Sequence, residues 1–348
     1  MSVGGKMQTV LGVIDPAELG FTLPHEQLLY DISNLFVKDN YTGQDFSDLE
    51  FELPNMGNIR QYPYSVKKNL KMTDDDVIIS ELQLYKKAGG RSIIDTAANG
   101  MFACREKLPR ISGESGVHII CGTGFYVDSC APSYAKTMSE REMVDFMVKE
   151  ITMGIGDTGI KAGIIGEIGC SWPLTDFERC VLRAAAICQK ETGAPLVIHP
   201  GRDVLAPFEI LDILEKAGAD ISHTVMSHLD RTFDNNDDFI RLAKRGCYLS
   251  LDQFGIETSH YQLNPSVDHI SDAARLKTLH HLVSAGYTNQ LMISHDMCLV
   301  HRLSKYGGHG FQHIPENVVP KMLERSFTKE AVKMITEDNP REWLTFTK

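Results

Sequence analysis

The sequence lacks an apolar run long enough to cross a membrane, and it lacks closely paired cysteines. A transmembrane helix needs about 20 predominantly apolar residues, and no stretch of this chain approaches that length. The opening residues, MSVGGKMQTVLG, have no basic region followed by an apolar one, as a secretion signal would. The eight cysteines include no Cys-x-x-Cys pair, so we expect reduced core thiols rather than a zinc ribbon or a disulfide scaffold. These absences predict a soluble protein of the cytosol (cytoplasmic).

Clusters of lysine and arginine are also absent. The formal net charge of −11 is spread along the chain. Phosphate backbones and anionic lipids bind to clustered basic side chains, so we expect neither nucleic acid nor membrane as a partner. Internal repeats and heptad runs are missing too. The remaining expectation is a compact protein that acts on a small-molecule substrate.

Short apolar runs alternate with amphipathic stretches along most of the chain. With 348 residues, 43% of them hydrophobic, the chain can bury a large core. Runs rich in Val, Ile and Leu predict strands at 21–31, 91–97, 117–124, 162–169, 195–200, 223–230, 246–252 and 291–296. Helical patterns lie between them, near 74–88, 139–152, 177–191 and 207–219. This alternation is typical of parallel α/β sheets, and eight strands favour a closed (β/α)8 TIM barrel, here one domain over 1–348.

Residues 32–72 form a long insertion between the first strand and the first helix. The segment has no clean period and contains Pro54 and Pro63. Loops of this length are usually functional or mobile, so we expect it either to cover the active site or to form an interface. Barrel enzymes often form homodimers, but no patch of the sequence marks an interface.

Polar residues interrupt the apolar strands at or near their carboxyl ends. They are His25, Glu167, His199, His228 and Asp296. Taken singly, each is more simply interpreted as a hydrogen-bonded structural group or a helix cap. Barrel enzymes, however, build their active sites at the carboxyl ends of the strands. Together, three imidazoles and two carboxylates at one barrel mouth predict a site for Zn²⁺, Co²⁺ or Mn²⁺.

The residue types suit a site with two divalent cations per subunit. Two neighbouring cations repel each other, and a bridging carboxylate offsets that repulsion. Glu167 is the candidate bridge, while His199 and His228 would bind the more exposed metal as neutral imidazoles. Asp296 would bind one metal and also move a proton during the reaction, which makes it the candidate catalytic residue.

Several motifs, in this order, resemble the phosphotriesterase-related proteins, a branch of the phosphotriesterase family in the amidohydrolase superfamily. They are LGFTLPHEQL, KAGIIGEIGCSWPLT, VIHPGR, MSHLDRT, SHD, KYGGHG, NVVPKML and NPREWLTF. The resemblance implies a (β/α)8 barrel with two divalent metals bridged by a Glu, which matches Glu167. It also implies that His199, His228 and Asp296 are metal ligands. Animal members of this branch are similar to hydrolases of N-acetyltaurine and some N-acetyl amino acids, whereas microbial relatives include lactonases and phosphotriesterases.

Gln27 departs from the family pattern. The family's first strand carries His-x-His, whose two side chains face the same side because strands have a period of two. In this chain the pair is His25 and Gln27, with Glu26 pointing the opposite way. A neutral amide oxygen is a weaker Zn²⁺ ligand than imidazole, so we expect this metal site to lose affinity or to change its metal preference.

The residues that contact the substrate are predicted less directly. Arg202 and Arg231 follow strands that carry ligands, and either one would meet an anionic end of the substrate, unless it is solvated or paired with an Asp. Tyr126 would donate a hydrogen bond to a polarised oxygen, unless it is simply a buried aromatic residue. His309, in the Gly-rich YGGHG loop, would reach the pocket if that loop folds over it.

The resulting prediction is an amidohydrolase that cleaves N-acetyltaurine and related small N-acyl amino acids. A metal-bound hydroxide would attack the polarised carbonyl, and Asp296 would pass a proton to the leaving amine. One alternative keeps the metal core but takes a lactone or phosphoester as substrate. The other is a ligand-binding protein whose metal site has degenerated at Gln27.

Overall fold

The chain forms a ring of eight parallel strands, as the alternating pattern predicts. A computed structural model describes residues 3–101 and 104–348. Its strands in chain order are β1 (Met7–Thr9), β2 (Gly12–Ile14), β3 (Thr22–Glu26), β4 (Tyr30–Asp31), β5 (Lys71–Met72), β6 (Ser92–Asp95), β7 (His118–Thr123), β8 (Ile164–Gly169), β9 (Leu196–His199), β10 (Thr224–Met226), β11 (Tyr248–Leu251) and β12 (Leu291–Ile293). The large sheet has the order β3, β6, β7, β8, β9, β10, β11, β12, and every pair in it is parallel. All eight carboxyl ends therefore meet at one end of the barrel.

The barrel closes beside the predicted site. The backbone N–H of Asp296, just after β12, donates to the carbonyl of His25 in β3 at 3.2 Å. The N–H of His25 donates in turn to Ser294 Oγ at 3.1 Å. Two residues that a metal site would use are therefore held together by the hydrogen bonds that join the first and last strands of the ring.

Helices surround the strands, and their ends follow local sequence signals. The α-helices in chain order are α1 (Met56–Gln61), α2 (Asp75–Lys87), α3 (Leu108–Ser115), α4 (Glu140–Thr152), α5 (Asp176–Thr192), α6 (Ala206–Ala217), α7 (Leu229–Thr232), α8 (Asn236–Ala243), α9 (Asp272–Ser284), α10 (Val319–Glu324), α11 (Lys329–Lys333) and α12 (Asn339–Leu344). Helix α5 begins with a capping box between Thr175 and Glu178 and ends at Gly193, whose φ of 71° favours glycine. No helix in the described ranges is long and apolar enough to span a membrane.

The interior of the barrel is apolar at its amino-terminal end. Ile94, Ile120, Ile164, Val197 and Val225 are buried there in one cluster. The same cluster includes Met7 from β1 and Trp343 from α12. Because side chains alternate along a strand, Val197 and His199 point to the same side of β9. The strand thus places an apolar residue in the core and an imidazole at the mouth.

The predicted strand at 21–31 is two strands, and only β3 belongs to the barrel. The second piece, β4, pairs with β5, so that Tyr30 lies opposite Met72. Residues 32–72 therefore leave the barrel and return to the same place. Between these ends the segment contains helix α1, short 3-10 turns and an apolar cluster of its own, comprising Phe46, Met56, Ile59, Tyr62 and Val66. The insertion therefore folds into short elements that have no long period, and this cluster stabilises them.

Candidate active site

The five strand-end residues predicted from the sequence come together at the barrel mouth. His25 and Glu167 lie in the last part of β3 and β8, and His199 is the last residue of β9. His228 and Asp296 follow directly after β10 and β12. All but Asp296 are almost fully buried, and the Asp296 side chain is 15% exposed. The geometry is thus that of a deep polar centre with one carboxylate closer to solvent.

Glu167 lies at the middle of this centre. Its Oε2 is 2.9 Å from His199 Nδ1, 3.5 Å from His25 Nε2 and 3.5 Å from His228 Nε2. Burial alone would raise the pKa of Glu167, but the surrounding imidazoles hold it well below its usual range. Glu167 is therefore a carboxylate, as a group that bridges cations must be.

The donor atoms fit a divalent metal. His25, Glu167 and His228 each offer a ligand atom, and these atoms lie within 4.8 Å of one another. His25 Nε2 is buried and has no hydrogen-bond partner within residues 3–101 and 104–348, while its Nδ1 lies 3.0 Å from Ser227 Oγ. Buried polar atoms are rarely left unpaired, and imidazole with carboxylate is a donor set that Zn²⁺ and similar ions prefer.

A buried carboxylate orients His228. Asp252 Oδ1 lies 2.7 Å from His228 Nδ1 and also accepts the backbone N–H of His228 at 3.0 Å. This contact leaves Nε2 directed towards Glu167. Burial would lower the pKa of His228, but Asp252 and Asp296 raise it to about 10, so a metal would have to displace a proton from this ring. Asp252 was not among the predicted residues, although it follows an apolar strand just as Asp296 does.

His228 and Asp296 share an unusual backbone conformation. Their φ angles are 55° and 54°, in the left-handed region that residues other than glycine seldom adopt. Such strain of about 1–3 kcal/mol per residue persists where the surrounding structure enforces it, and it is concentrated at functional sites. In both residues the turn directs a ligand-type side chain back over the strand end.

Asp296 also lies close to the other charged groups. One of its oxygens is 3.9 Å from His25 Nε2 and the other is 3.8 Å from His228 Nδ1. Burial raises the pKa of Asp296 above its usual range, and the two histidines oppose that rise. A carboxyl group that is easier to protonate is suited to proton transfer.

Gln27 occupies the place beside His25 that the sequence analysis singled out. It lies one residue past the end of β3, and its Nε2 donates to Glu167 Oε1 and to Thr96 Oγ1, both at 3.2 Å. Its Oε1 is buried without a hydrogen-bond partner in the described ranges. Rotation of the amide by half a turn would exchange the two atoms, so Gln27 offers the centre either a donor or a neutral oxygen ligand.

A cavity of about 410 Å³ opens above the centre. Gln27, Glu167, His199 and Asp296 line it, whereas His25 and His228 lie outside its wall. The segment 32–72 supplies part of the wall through Ile32, Leu35, Arg60, Pro63 and Tyr64. Of the two roles expected for this segment, the structure therefore supports the one in which it covers the site.

The four residues proposed from the sequence to contact the substrate all line this cavity. Tyr126 Oη is 3.5 Å from His199 Nδ1, and Arg231 Nη2 is 3.2 Å from His199 Nε2. Arg202 donates to the hydroxyl of Tyr261 and lies 5.1 Å from the centre of that ring.

His309 reaches the cavity because its loop folds inward. Its ring stacks on His295 with centroids 5.4 Å apart. Gly255, whose φ is 87°, packs against the ring of His309. A Cβ added at Gly255 would lie 2.3 Å from His309 Nε2. Only glycine allows this approach.

Two further cavity residues, Gln253 and Tyr261, were missed by the sequence analysis. Both lie on the long connection after β11, which has no periodic pattern to indicate which side chains turn inward. Gln253 Oε1 is buried without a hydrogen-bond partner in the described ranges. Gln253 lies two residues after the end of β11, which is only a weak signal of a site residue. Tyr261 has no local sequence signal of that kind.

Comparisons with known proteins agree with this geometry. A sequence profile of the Phosphotriesterase family matches residues 5–344. The chain is 46% identical to a phosphotriesterase-related protein of Nematostella vectensis, over 98% of this chain and 99% of that one. It is 44% identical to the N-acetyltaurine hydrolase of Homo sapiens, over 99% of each chain. The crystal structure of a resiniferatoxin-binding protein from Rhodobacter sphaeroides superposes with a TM-score of 0.94 at 31% identity, covering 99% of this chain and 98% of that one.

Proposed function

Because the chain belongs to the phosphotriesterase family and is a metal-dependent hydrolase, we propose that it hydrolyses N-acetyltaurine and related small N-acyl amino acids. The whole chain would act as one barrel domain. Full-length relatives named N-acetyltaurine hydrolase, at 43% to 44% identity in mouse and human, support this substrate class.

The observation that carries the proposal is a pair of arginines without acidic partners. Within residues 3–101 and 104–348, neither Arg202 nor Arg231 lies within ion-pair distance of a carboxylate. Both line the cavity, and Arg231 Nη1 is buried without a hydrogen-bond partner in those ranges. Burial, together with nearby arginines, lowers the pKa of His269 in the same wall to about 3. Such a pocket favours a substrate with a permanent negative charge, such as a sulfonate.

We propose that two divalent cations are held by the residues predicted from the sequence. Glu167 would bridge them, His25, Gln27 and Asp296 would bind the first, and His199 and His228 would bind the second. Zn²⁺, Co²⁺ and Mn²⁺ all suit this donor set. When bound, such cations lower the pKa of water and polarise a carbonyl.

The other polar residues would orient and neutralise the substrate. Hydrolysis of an amide adds water to the carbonyl and returns a proton to the leaving amine. Asp296 is placed to move that proton because, of the two carboxylates of the centre that line the cavity, it is the more exposed. Tyr126, beside His199, would donate to the oxygen on which negative charge develops, and His309 would complete the wall.

Gln27 favours one specific alternative, a protein that binds an ester or amide without cleaving it. The relative from Rhodobacter sphaeroides is described as a resiniferatoxin-binding protein, which supports a binding role for this alternative. Hydrolysis of a lactone or phosphoester is the second alternative, since those substrates use the same metal core. Metal content and turnover separate these functions.

The test is metal analysis of protein purified without chelators, followed by a hydrolysis assay on the same sample. Released taurine is measured with Zn²⁺, Co²⁺ or Mn²⁺ added. The matched control substrate replaces the sulfonate by a neutral methyl sulfone. We expect close to two metals per chain and turnover of N-acetyltaurine well above that of the sulfone. Negligible metal would favour the binding role, and bound metal without turnover would favour a lactone or phosphoester.

A further inference from the structure

The cavity has two chemically different walls on opposite sides of the metal centre. In the ring of strands, β12, β3 and β6 are neighbours, and β9, β10 and β11 are neighbours. Across the barrel, β9 lies opposite β3 and β10 lies opposite β6, because three strands separate the members of each pair in either direction around the ring. The loops that follow β3 and β6 therefore face the loops that follow β9 and β10 across the mouth.

The first wall, here named the apolar wall, consists of Ile32, Leu35, Met101 and Leu299. These residues follow β3, β6 and β12, and all four line the cavity. Backbone hydrogen bonds fix the wall, since Asp31 N–H donates to the Met101 carbonyl at 3.0 Å. Ile32, Met101 and Leu299 are buried, and Leu35 is half-buried.

The arginines on this side are already occupied. Arg302 donates to the carbonyls of Phe254, His295 and Asp296 at 2.6–3.1 Å. The exposed Arg60 donates to the carbonyl of Gly307 at 2.9 Å. Arg302 thus uses both terminal nitrogens on the backbone, whereas Arg231 donates to one carbonyl, that of Pro200 at 3.1 Å, and its Nη1 has no hydrogen-bond partner among the described residues.

The second wall, here named the cationic wall, contains Arg202 and Arg231 together with Tyr261 and His269. These residues follow β9, β10 and β11. The guanidinium charges of Arg202 and Arg231 have no carboxylate partner within the described residues, as set out above. A substrate that spans the centre would therefore place its anionic end on this wall and its other end on the apolar wall.

We propose that the apolar wall is an acyl-chain subsite, and that the protein takes N-acyltaurines with chains longer than acetyl, such as butanoyl and hexanoyl. The proposal rests on the proposed function for the choice of taurine as the head group. Cavities of ~300–1,000 Å³ hold ligands of drug size, and the 410 Å³ here exceeds the needs of an acetyl group joined to taurine. Each methylene that the apolar wall removes from water should tighten binding about fourfold.

The test is isothermal titration calorimetry of the metal-free full chain with N-acetyl-, N-butanoyl- and N-hexanoyltaurine. Turnover does not complicate this measurement. We expect Kd to fall by about fourfold per added methylene. A Kd that is unchanged or rises along the series would overturn the proposal.

Two variants locate the two ends of the ligand. Leu35→Trp fills the apolar wall, so it should flatten or reverse the dependence of Kd on chain length. Leu53→Trp is the matched control, because Leu53 lies on the same segment, outside the cavity, and is 92% exposed. Arg202→Met should weaken all three ligands by the same factor and leave the dependence on chain length intact. If Leu35→Trp and Leu53→Trp show the same dependence on chain length, the assignment of the apolar wall is wrong.

Hydrolysis assays of the same series separate this proposal from the proposed function. Turnover of N-acetyltaurine with no gain in binding for longer chains would overturn the subsite and leave the function standing. A clear gain in binding with no turnover of any member in the metal-loaded protein would support the subsite and reject the function.

Discussion

Glu26 and Arg302 both bind the backbone of the turn that carries Asp296. Glu26 accepts hydrogen bonds from the backbone N–H groups of His295 and Met297, both at 2.9 Å, and from Ser294 Oγ at 2.7 Å. Arg302 donates to the carbonyls of His295 and Asp296, both at 2.6 Å. Glu26 therefore satisfies the donors of this turn, and Arg302 satisfies its acceptors.

This arrangement explains how Asp296 keeps a left-handed backbone. The φ of 54° at Asp296 is unfavourable by itself, so other contacts must stabilise the turn. Hydrogen bonds to ionised groups are the strongest that a buried backbone can make. The position of the candidate catalytic carboxylate is thus set by two side chains that would not need to contact the substrate.

Glu26→Gln should destabilise the protein by about 2 kcal/mol, because hydrogen bonds to a charged group contribute about 1.5–3 kcal/mol each and the new amide N–H₂ would face N–H donors. The measurement is the free energy of unfolding in urea for the metal-free protein at about pH 8.5, above the pKa of Glu26, which burial raises to about 7. The exposed Glu324→Gln serves as control and should change that free energy by less than about 0.5 kcal/mol. Equal unfolding midpoints for both variants would show that Glu26 does not stabilise the turn.

Much of the fold and of the metal centre could be predicted from the sequence. Runs such as AGIIGEIG and PLVIHP mark buried strands, and polar residues at their ends stand out because buried strands are otherwise apolar. The barrel then brings Glu167 and His199 together without further information. The same logic applied to LSLD would have identified Asp252.

The rest depended on tertiary contacts that no local pattern encodes. Tyr261 lies far from any strand end, and its pairing with Arg202 follows from the path of the loop after β11. Residues 32–72 fold because Phe46, Ile59 and Tyr62 meet in a small cluster, and these residues are too far apart in the sequence to form a period. Periodicity predicts strands and helices well, whereas it does not predict how long connections fold over a site.

Gln27→His should increase metal binding at the site next to His25. An imidazole would replace a neutral amide that now donates to Glu167, and imidazole is the better ligand for Zn²⁺. The measurement is bound zinc per chain by mass spectrometry after dialysis against limiting Zn²⁺. Gln83→His, on the exposed side of α2, controls for the gain of a histidine elsewhere. Metal content and hydrolysis that match those of the unaltered protein would argue that Gln27 is not at a ligand position.

Asp252→Asn should weaken metal binding about 10- to 100-fold, which is the usual effect of removing the carboxylate that orients a ligand histidine. Asp252 bonds both the ring and the backbone N–H of His228, so the variant loses control of the ring as well as a charge. Affinity is measured by competition with a coloured zinc chelator. Asp212→Asn, a surface change, is the control and should leave the affinity unaltered. An unchanged affinity in Asp252→Asn would mean that His228 does not need this partner to bind metal.

Asp296→Asn should reduce kcat by about 10²- to 10⁴-fold, the range attributed to general acid-base catalysis, because an amide cannot take up and return a proton. Loss of a metal ligand would lower kcat as well, so bound metal must be measured on the same sample. At saturating Zn²⁺, a proton-transfer role predicts that full metal occupancy is recovered while kcat stays low. Asp234→Asn, an exposed change in the loop after β10, controls for nonspecific effects of removing a carboxylate. Recovery of kcat together with metal occupancy would show that Asp296 is only a ligand, and the proton would then have to leave by another route.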